Sequence, residues 1–331
     1  MAEGDLLSRA RAGDELAFAD VVSPHRRELH VHCYRMLGSF EEAEDAVQDA
    51  LLAAWRGLAS FEERSSIRTW LYRVATNTCL NVVRTSSRRP QMELPATAPR
   101  PTRSETVTWL EPYPDAMLSE LPHDSPGAEQ VIEQTEAISL AFITALQLLS
   151  PRARAVLVMR DVLGFSAREV ADTLETTPEA VNMSLSRARA SIQKNSPSAG
   201  DISAAGREQA ELAQRLAGAL AAHDIDAVVG LLAEDVRISM PPLPAVWDGR
   251  RNAVLFLTEV AFRLVPEARF VPTQANGQPA LAVYTRDEIN GRWHASGILV
   301  ITLRGNEIAA LTRFETHTLR PFGLPRVLLD H

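Results

Sequence analysis

The segment SIRTWLYRVATNTCLNVVRTSSRR, residues 66–89, constrains the fold most, because as a helix it has two faces of different chemistry. Apolar residues recur at spacings of three or four on one side, as in a helix that packs on a core: Ile67, Leu71, Val74, Ala75 and Val82. The opposite side carries Trp70, Arg73, Asn77, Asn81 and Arg84. A ring for stacking, carboxamides for base edges and guanidiniums for phosphates are the groups that bind single-stranded DNA. The alternative is an ordinary amphipathic helix with a core tryptophan and solvated polar side chains.

A second segment, residues 150–193, predicts three short helices separated by clear breaks. Ser150 followed by Pro151 is typical of a helix start, and Ser166 with Glu169 matches a capping box at the next start. Two short helices joined by a few residues form a helix-turn-helix, whose second helix enters the major groove. Helical hairpins without a DNA partner also fit this pattern. The polar face of the last helix carries Glu179, Asn182, Met183, Ser186 and Arg187.

Three motifs follow one another along about the first 195 residues. An acidic helix, EEAEDAVQDALLAAW, precedes FEERSSIRTWLYRVATN and, after a linker, a helix-turn-helix that ends in LSRAR. This order resembles the extracytoplasmic-function (ECF) sigma factors of bacterial RNA polymerase. The resemblance implies that the loop from Phe61 to Ser66 captures a flipped base of the minus-ten promoter element, with Asn77 in contact with that base. It also implies that the helix-turn-helix reads the minus-thirty-five element, and that core RNA polymerase binds Asp45, Gln48 and Asp49.

The recognition helix departs from the family pattern at its centre. Most members place basic residues there, whereas this chain has Asn-Met-Ser at 182–184 and carries its positive charge on Arg187, Arg189 and Lys194. Base readout is therefore expected to rely on hydrogen bonds from Asn and Ser and on Met contact. The motifs HCYRMLGS, WLEPYPD and AVN-xx-L-x-RAR resemble one branch of the family, in which a SnoaL-like domain is fused to the C-terminus.

Composition narrows the class of protein. A net charge of −8 argues against a stand-alone DNA binder, but a sigma factor draws much of its affinity from polymerase. The chain has two cysteines, its first residues lack an apolar signal region, and its most apolar stretch, residues 137–149, is too short to span a bilayer. We therefore expect a reduced, cytoplasmic protein that does not bind membranes.

The motif His-Val-His-Cys at residues 30–33 invites comparison with a metal site. On a helix, however, His30 and His32 lie about 200° apart, so they do not converge on one ion. Cys33 falls on the apolar side with Leu29 and Met36. We expect no metal and no cofactor.

Eight prolines between Arg88 and Pro126 predict an extended, semi-rigid linker instead of a helix or central strand. Within it, Trp109, Leu110 and Tyr113 form an apolar cluster that is costly to leave in water. Such a cluster docks on the neighbouring helical domain, on the C-terminal domain or in the polymerase cleft. Of these, we predict docking on the C-terminal domain.

Beyond a Ser-, Ala- and Gly-rich boundary at residues 195–206 the pattern changes. Helices are predicted around Leu212–Leu220, over IDAVVGLLAED and over NAVLFLTEVAFRL, and strands over VRISM and from ARFVPT to EIAALTRFETHTL. This order indicates an α+β domain. It resembles SnoaL-like members of the ketosteroid isomerase superfamily, in which a curved sheet wraps round a helix to form a conical pocket. Candidate pocket residues are Trp247, Asp248, Tyr284, His294 and Arg313.

The chemistry of that pocket has three interpretations. Asp248 with His294 suggests general acid–base catalysis, and a small-molecule ligand is a second alternative. The third is a purely regulatory domain that contacts protein. Asp248-Gly249-Arg250 also matches a turn before a helix, with Asp as the cap and Gly at positive φ.

The predicted fold is multidomain, with two all-α DNA-binding domains, the second a helix-turn-helix, and a C-terminal α+β SnoaL-like cone. Its predicted parts are residues 1–90, a linker at 91–130, the helix-turn-helix domain at 131–195 and the SnoaL-like domain at 205–331. The predicted function is that of a sigma factor tuned by its C-terminal domain, not an enzyme. An enzyme of the ketosteroid isomerase-like superfamily with a DNA-binding extension is the competing hypothesis. A one-component repressor explains neither AEDAVQDA nor the tryptophan-led helix, and an anti-sigma partner is neither indicated nor excluded.

Overall fold

The computed structural model describes residues 3–63, 65–85, 98–104, 109–118, 137–195 and 206–328. The described residues fall into two compact units. The helical unit comprises those within Met1–Arg89 and Ala141–Ser196. The C-terminal unit comprises those within Pro90–Ser119, Gly127–Leu140 and Pro197–His331. The described linker residues therefore belong to the C-terminal unit.

The first part of the helical unit has helices at α1 (Glu3–Arg11), α2 (Glu15–Val22), α3 (Arg26–Leu37), α4 (Phe40–Gly57) and α5 (Ile67–Thr85). The second part has α6 (Leu140–Gln147), α7 (Pro151–Leu157), α8 (Ala167–Leu174) and α9 (Pro178–Asn195). Side-chain caps set several starts: Asp14 accepts from the Ala17 N–H and Ser39 from the Glu42 N–H. These two caps fix where α2 and α4 begin.

The two-faced helix is confirmed over Ile67–Thr85, whereas Arg88 and Arg89 lie outside the described residues. Its buried stripe differs in part from the prediction. Ile67, Leu71 and Ala75 are buried, but Val74 and Val82 are only half-buried. Tyr72, Thr76 and Cys79 are buried instead, because the second part of the helical unit packs over that side of α5.

The predicted helix-turn-helix is confirmed as α8 and α9. Ser166 and Glu169 form the expected capping box, and Ser150 caps α7, which continues as a π-helical turn over Val158–Val162. The two helices pack through Val170, Ala171, Leu174, Val181, Leu185 and Ala188, all buried.

Arg154 of α7 joins the two parts of the helical unit. Its guanidinium is buried and donates hydrogen bonds to the Met36 carbonyl at the end of α3 and to the Leu146 carbonyl, at 2.9 Å, near the end of α6. Positive charge is favourable at the C-terminal ends of helices. Tyr72 of α5 meets the Phe165 ring edge-on at 5.5 Å. The two helical parts are therefore in direct contact.

The C-terminal unit has helices α10 (Gly206–Ala221), α11 (Ile225–Val229) and α12 (Arg250–Phe256), which continues through a π-helical turn (Leu257–Ala261) into α13 (Phe262–Leu264). Its strands are β1 (Arg103–Ser104), β2 (Leu232–Ser239), β3 (Ala245–Asp248), β4 (Ala268–Ala275), β5 (Gln278–Arg286), β6 (Trp293–Arg304), β7 (Glu307–Glu315) and β8 (Val327–Leu328). In the described residues they form one sheet in the order β1-β3-β2-β7-β6-β5-β4, with β8 on β6. Only the β2–β7 pairing among these is parallel.

One face of this sheet packs on the helices. Leu212, Leu216 and Leu220 of α10 meet sheet residues that include Trp247, Leu281, Ile301 and Leu311. The ring of Trp247 lies 4.4 Å from that of Phe256 in α12. The α+β class predicted from the sequence is therefore confirmed.

Two local predictions in this unit are wrong. The helix predicted over IDAVVGLLAED ends at Val229, and β2 begins at Leu232, because the Ile308 N–H bonds the Leu231 carbonyl and draws the segment into the sheet. Gly249 has the expected positive φ, 85°, but no side-chain cap starts α12. The Asp248 carboxylate is instead held by linker side chains and by Arg237.

Candidate nucleic-acid interface

The exposed face of α5 carries the polar residues predicted from the sequence. Arg73, Asn77, Asn81 and Arg84 are all exposed, at spacings of three or four that place them on one side of the helix. Trp70 is half-buried at the start of this row. The face therefore offers amide groups between two guanidiniums, with a ring at one end.

Phe61 occupies a different position from the one expected of a residue that touches DNA directly. Its side chain is buried, and its ring lies 5.1 Å from that of Trp70 at an angle of 36°. It therefore backs Trp70 instead of projecting into solvent. The start of α5 is fixed by Ser66, whose hydroxyl accepts from the Thr69 N–H at 3.0 Å.

A partly buried polar network anchors the first turn of α5 and could not be predicted from the sequence. Glu28 of α3 accepts hydrogen bonds from Arg68 (Nε at 2.9 Å, Nη2 at 2.8 Å) and from the Tyr72 hydroxyl at 3.2 Å, and pairs with His25 Nδ1 at 2.7 Å. Burial alone would raise the pKa of Glu28, but the bonds from His25 and Arg68 outweigh it and hold the pKa below its ordinary value. A charged Glu28 thus fixes the helix that carries the polar face. Partners forty residues apart leave no local pattern in the sequence.

The recognition helix α9 presents Asn182, Met183, Ser186 and Arg187 to solvent. Arg189 is also exposed, but Asp161 binds it in a bidentate ion pair with distances of 2.8 and 2.6 Å. Its charge is thus already compensated, and the side chain of Lys194 lies outside the described part of the chain. Arg187 supplies positive charge on the polar face, and its Nη2 lies 3.5 Å from the Met183 sulfur.

The acidic helix α4 exposes the three residues assigned to polymerase binding. Asp45, Gln48 and Asp49 lie on one face, and Gln48 bonds Glu44 at 3.4 Å. Leu52 continues this face and is 54% exposed. Leu52 could not be assigned to this face from the sequence, because a leucine within an apolar run is typical of a core residue.

The linker cluster lies on the C-terminal unit. Leu110 and Tyr113 are buried and Trp109 is half-buried. Tyr113 exchanges two hydrogen bonds with Asn276 in the β4–β5 turn: its N–H donates to Oδ1 at 2.8 Å, and its carbonyl accepts from the Asn276 N–H at 2.9 Å. The Asn276 Nδ2 also donates to the Ile138 carbonyl at 2.8 Å. One turn thus holds two stretches of chain, one around Tyr113 within the linker and one around Ile138 after it.

Asp115 adds a carboxylate to the same turn. It accepts from the Gly277 N–H at 2.8 Å, and burial raises the pKa of Asp115 to about 6. Asn276 and Gly277 have φ values of 58° and 69°, the left-handed conformation that a tight hairpin turn requires. The N–H groups of this turn bind the linker, that of Asn276 at the Tyr113 carbonyl and that of Gly277 at the Asp115 carboxylate.

An earlier part of the linker adds a strand to the sheet. Arg103–Ser104 pairs antiparallel with β3 at its edge. Pro99 accepts from the Trp247 indole N–H at 3.1 Å, and Thr102 and Arg103 bind the Asp248 carboxylate at 3.0 and 2.8 Å. Two of the candidate pocket residues thus serve to hold the linker.

The remaining pocket candidates have separate partners. The Tyr284 hydroxyl donates to the Pro325 carbonyl at 2.9 Å, and Arg313 donates to the Ser296 carbonyl at 3.0 Å and hydroxyl at 2.7 Å. His294 on β6 lies 3.7 Å from Asp287. β3, which carries Asp248, is three strand spacings from β6, about 14 Å along the sheet, so the predicted acid–base pair is not brought together. A cavity of about 600 Å³ lies elsewhere, lined by Glu234, Asp235, Arg250, Arg304 and Glu307.

The histidines near the start of the chain are structural. His32 is buried and bonds the Thr76 hydroxyl at 2.9 Å, and His30 packs on the Phe40 ring at 4.7 Å. Within the described ranges, no group of three or more His, Cys, Asp or Glu residues is placed to hold a metal ion. Nor does any helix in those ranges have both the length and the apolar character needed to cross a bilayer.

Three known protein families match the chain one after another. The family profile for sigma-70 region 2 matches residues 21–89, that for sigma-70 region 4 matches residues 139–192, and that for the SnoaL-like domain matches residues 213–311. The ECF RNA polymerase sigma factor SigG of Mycobacterium tuberculosis is 40% identical over 328 residues, which cover 95% of this chain and 85% of SigG. SigW of Bacillus subtilis, also an ECF sigma factor, is 29% identical over 192 residues, which cover 57% of this chain and 93% of SigW.

The solved structure of the M. tuberculosis ECF sigma factor SigJ supports the fold, with a TM-score of 0.59 at 24% identity, covering 91% of this chain and 97% of SigJ. The resemblance predicted from the motifs is therefore confirmed. Because the similarity to SigG spans nearly the whole chain, the protein belongs to the extracytoplasmic-function sigma factors of RNA polymerase and carries a C-terminal SnoaL-like domain.

Proposed function

We propose that this protein binds core RNA polymerase, reads the minus-thirty-five element with α9 and opens the minus-ten element with α5. The observation that carries this proposal is the exposed row Arg73, Asn77, Asn81 and Arg84 beside the Trp70 ring. Stacking, amide hydrogen bonds and phosphate contacts are what an unpaired strand requires. On α9, readout relies on Asn182, Ser186 and Met183, with Arg187 as the main cation.

Polymerase binding is assigned to α4. Asp45, Gln48 and Asp49 present charge and hydrogen-bonding groups, and the exposed Leu52 adds an apolar contact on the same face. Charge that complements the partner's surface speeds the association of two proteins, while burial of apolar side chains adds affinity. The site of action is then the cytoplasm, where polymerase and promoter DNA are present.

The packing of the helical unit implies that it must open on a promoter. The names of the two elements place them about 25 base pairs apart, roughly 80 Å along B-DNA. A compact unit of about 150 residues measures only about 40 Å across. Arg154 and the Tyr72–Phe165 contact hold the two helical parts together. The closed helical unit is therefore a state of the protein that is not bound to both promoter elements at once.

The C-terminal unit regulates this opening through the linker. Tyr113 in the middle of the linker and Ile138 shortly after its end are both fixed to Asn276, so two points of the connection are held at one turn of the sheet. A docked linker shortens the reach available between the two helical parts, whereas a released one extends at about 3.3 Å per residue. Docking therefore favours the closed helical unit.

A regulatory role suits this domain better than catalysis. The relatives reported above are sigma factors, which are not enzymes. Asp248, the candidate acid or base, is bound by Thr102, Arg103 and Arg237. A carboxylate with these partners holds the linker.

Pull-down of core polymerase followed by run-off transcription, with and without residues 205–331, tests the proposal. Asn77→Ala should reduce promoter opening by about tenfold, the effect of losing one base contact, and leave core affinity unchanged. Thr85→Ala, an exposed change at the end of the same helix, is the control. Equal loss of opening and core binding would mean that Asn77 is structural.

Asp45→Arg together with Asp49→Arg should weaken core binding, because the double change inverts the charge on the exposed face of α4. The control makes the same change of charge on an exposed face of α10, Glu208→Arg with Glu211→Arg. If core affinity in a titration is the same for both double variants, α4 is not the docking helix.

A further inference from the structure

Helix α1 contacts the loop that precedes α5. It ends at Arg11, outside the region 2 match, which begins at residue 21. Arg11 Nη1 donates to Glu63 Oε1 at 2.6 Å, and Nη2 donates to the Phe61 carbonyl. Its Cζ also lies 5.6 Å from the centre of the Phe61 ring. One guanidinium thus holds the backbone, the ring and a side chain of this loop.

The conformation of the loop is one that needs such support. Glu63 has a φ of 56°, in the left-handed region that residues other than glycine rarely adopt. Strained conformations of this kind persist where the surrounding structure fixes them, and they cluster at functional sites. Arg11 binds the strained residue itself and the carbonyl two residues before it.

The effect of Arg11 extends to the polar face of α5. The Phe61 ring that it covers lies against Trp70, the aromatic residue at the start of the exposed row. A shift of Phe61 would therefore displace the stacking platform as well as the loop.

We propose that Arg11 is a positioning residue for promoter opening, which holds Phe61 to Glu63, the first part of the loop before α5, ready for an unpaired base before DNA arrives. This inference rests on the proposed function of α5 in opening the minus-ten element and on the expectation that the loop before α5 captures an unpaired base. A loop fixed in its binding conformation loses less conformational freedom on binding. If only a fraction of molecules has the competent loop, the apparent affinity for the unpaired strand falls to that fraction of its intrinsic value.

The test uses the full chain with core polymerase on a promoter fragment that the wild-type holoenzyme transcribes. Arg11→Ala should lower permanganate reactivity of the opened strand by about three- to thirtyfold and leave core affinity unchanged. Arg9→Ala is the matched control, because Arg9 lies on the same helix and its ion pair at 2.6 Å is with Asp14. Hydrogen exchange at residues 61–63 should accelerate in Arg11→Ala but not in Arg9→Ala.

Variants of the loop partner separate positioning from general stability. Glu63 is 59% exposed, so its substitution leaves the core intact. Glu63→Gly tolerates a positive φ and should retain more opening than Glu63→Ala, although both lose the ion pair. Arg11→Lys keeps the charge but does not bridge two acceptors, so its opening should be intermediate.

Three results would overturn the inference. If Arg11→Ala opens the promoter normally while Asn77→Ala is impaired, the loop and α5 keep their proposed role but Arg11 has no part in it. Equal loss in Arg9→Ala and Arg11→Ala would assign the effect to the charge of α1. Normal opening by Arg11→Ala, Asn77→Ala and Phe61→Ala would instead contradict the proposed function of the loop.

Discussion

The helical unit and the C-terminal unit each join stretches of chain that are distant in sequence, but they do so with different chemistry. In the helical unit the contact depends on the buried guanidinium of Arg154, which bonds the carbonyls of Met36 and Leu146. In the C-terminal unit it combines backbone pairing, where Arg103–Ser104 adds a strand, with hydrogen bonds between Tyr113 and the backbone and side chain of Asn276. A backbone ladder tolerates many side-chain changes, whereas a buried charge with several acceptors does not. The helical contact is thus the one that a single substitution should release.

The largest effect is expected from Arg154→Ala. It removes the charged donor of the buried Met36 carbonyl and of the Gln147 side chain, which itself bonds the Arg35 carbonyl of α3, at a cost of about 3 kcal/mol or more. That cost corresponds to more than about a hundredfold shift from closed to open. Distance distributions between labels on the two helical parts of the free protein should broaden, and core affinity should rise.

Arg152→Ala is the matched control for that change. Arg152 lies on the same helix, and its bond to the Leu174 carbonyl, at 3.0 Å, stays within the second helical part. If both variants broaden the distances equally, the effect is a loss of stability in α7 and not release of the contact. A melting temperature for each variant gives an independent check on folding.

A smaller effect is expected from Asn276→Ala. The side chain of Asn276 is the acceptor for the buried Tyr113 N–H and a donor to Ile138, and its φ of 58° disfavours alanine. Docking of the linker should weaken by about 2–4 kcal/mol. Hydrogen exchange at residues 109–118 should accelerate, and transcription should change in the same direction as on deleting residues 205–331.

Asn276→Gly separates the two causes of that loss. Glycine accepts the positive φ but has no amide, so it should lose the two side-chain bonds without the strain. If Asn276→Gly exchanges as slowly as the wild type, the backbone ladder alone holds the linker. The two units would then differ more in the chemistry of their contacts than we propose.

The smallest effect is the pH dependence of docking. Burial raises the pKa of Asp115 to about 6 in the docked linker, so the docked state binds a proton more tightly than the released state. Docking should therefore strengthen as the pH falls from about 6 to 4, by at most about 1.4 kcal/mol per pH unit, and show little dependence above pH 7. Hydrogen exchange at Tyr113, corrected for the intrinsic rate at each pH, measures this change.

Asp115→Asn should abolish that dependence and tighten docking at pH 7, because an amide oxygen still accepts from the Gly277 N–H without a buried charge. Glu288→Gln, an exposed change between β5 and β6, should leave the profile unaltered. A wild-type profile in Asp115→Asn would mean that another group controls the linker.

Features set by neighbours in sequence were predicted well. The polar face of α5 and the capping box of Ser166 and Glu169 follow from spacings of three or four residues, and both are present. The strand at Leu232 was mistaken for helix, because a short apolar run fits either structure until its partner strand is known. The order of helices and strands was enough to predict the α+β class.

Polar pairings across long distances could not be predicted. Arg154 lies in the segment PRARAV, where it looks like a surface arginine, and its acceptor at Met36 is 118 residues away. Glu28 and Arg68, and Tyr113 and Asn276, are likewise joined only by the fold. Asp248 was assigned to a pocket for the same reason, because nothing near it in sequence shows that Thr102 and Arg103 bind its carboxylate.

We propose that the contact between the two helical parts breaks when the protein binds a promoter. The most direct test is the distance between spin labels on cysteines introduced at Ala59 and Asp172, both exposed, since Cys33 and Cys79 are buried and react slowly. We predict one short, narrow distance in the free protein and a distance longer by tens of ångströms in the transcribing holoenzyme with promoter DNA. An unchanged short distance in a transcriptionally active holoenzyme would contradict the account.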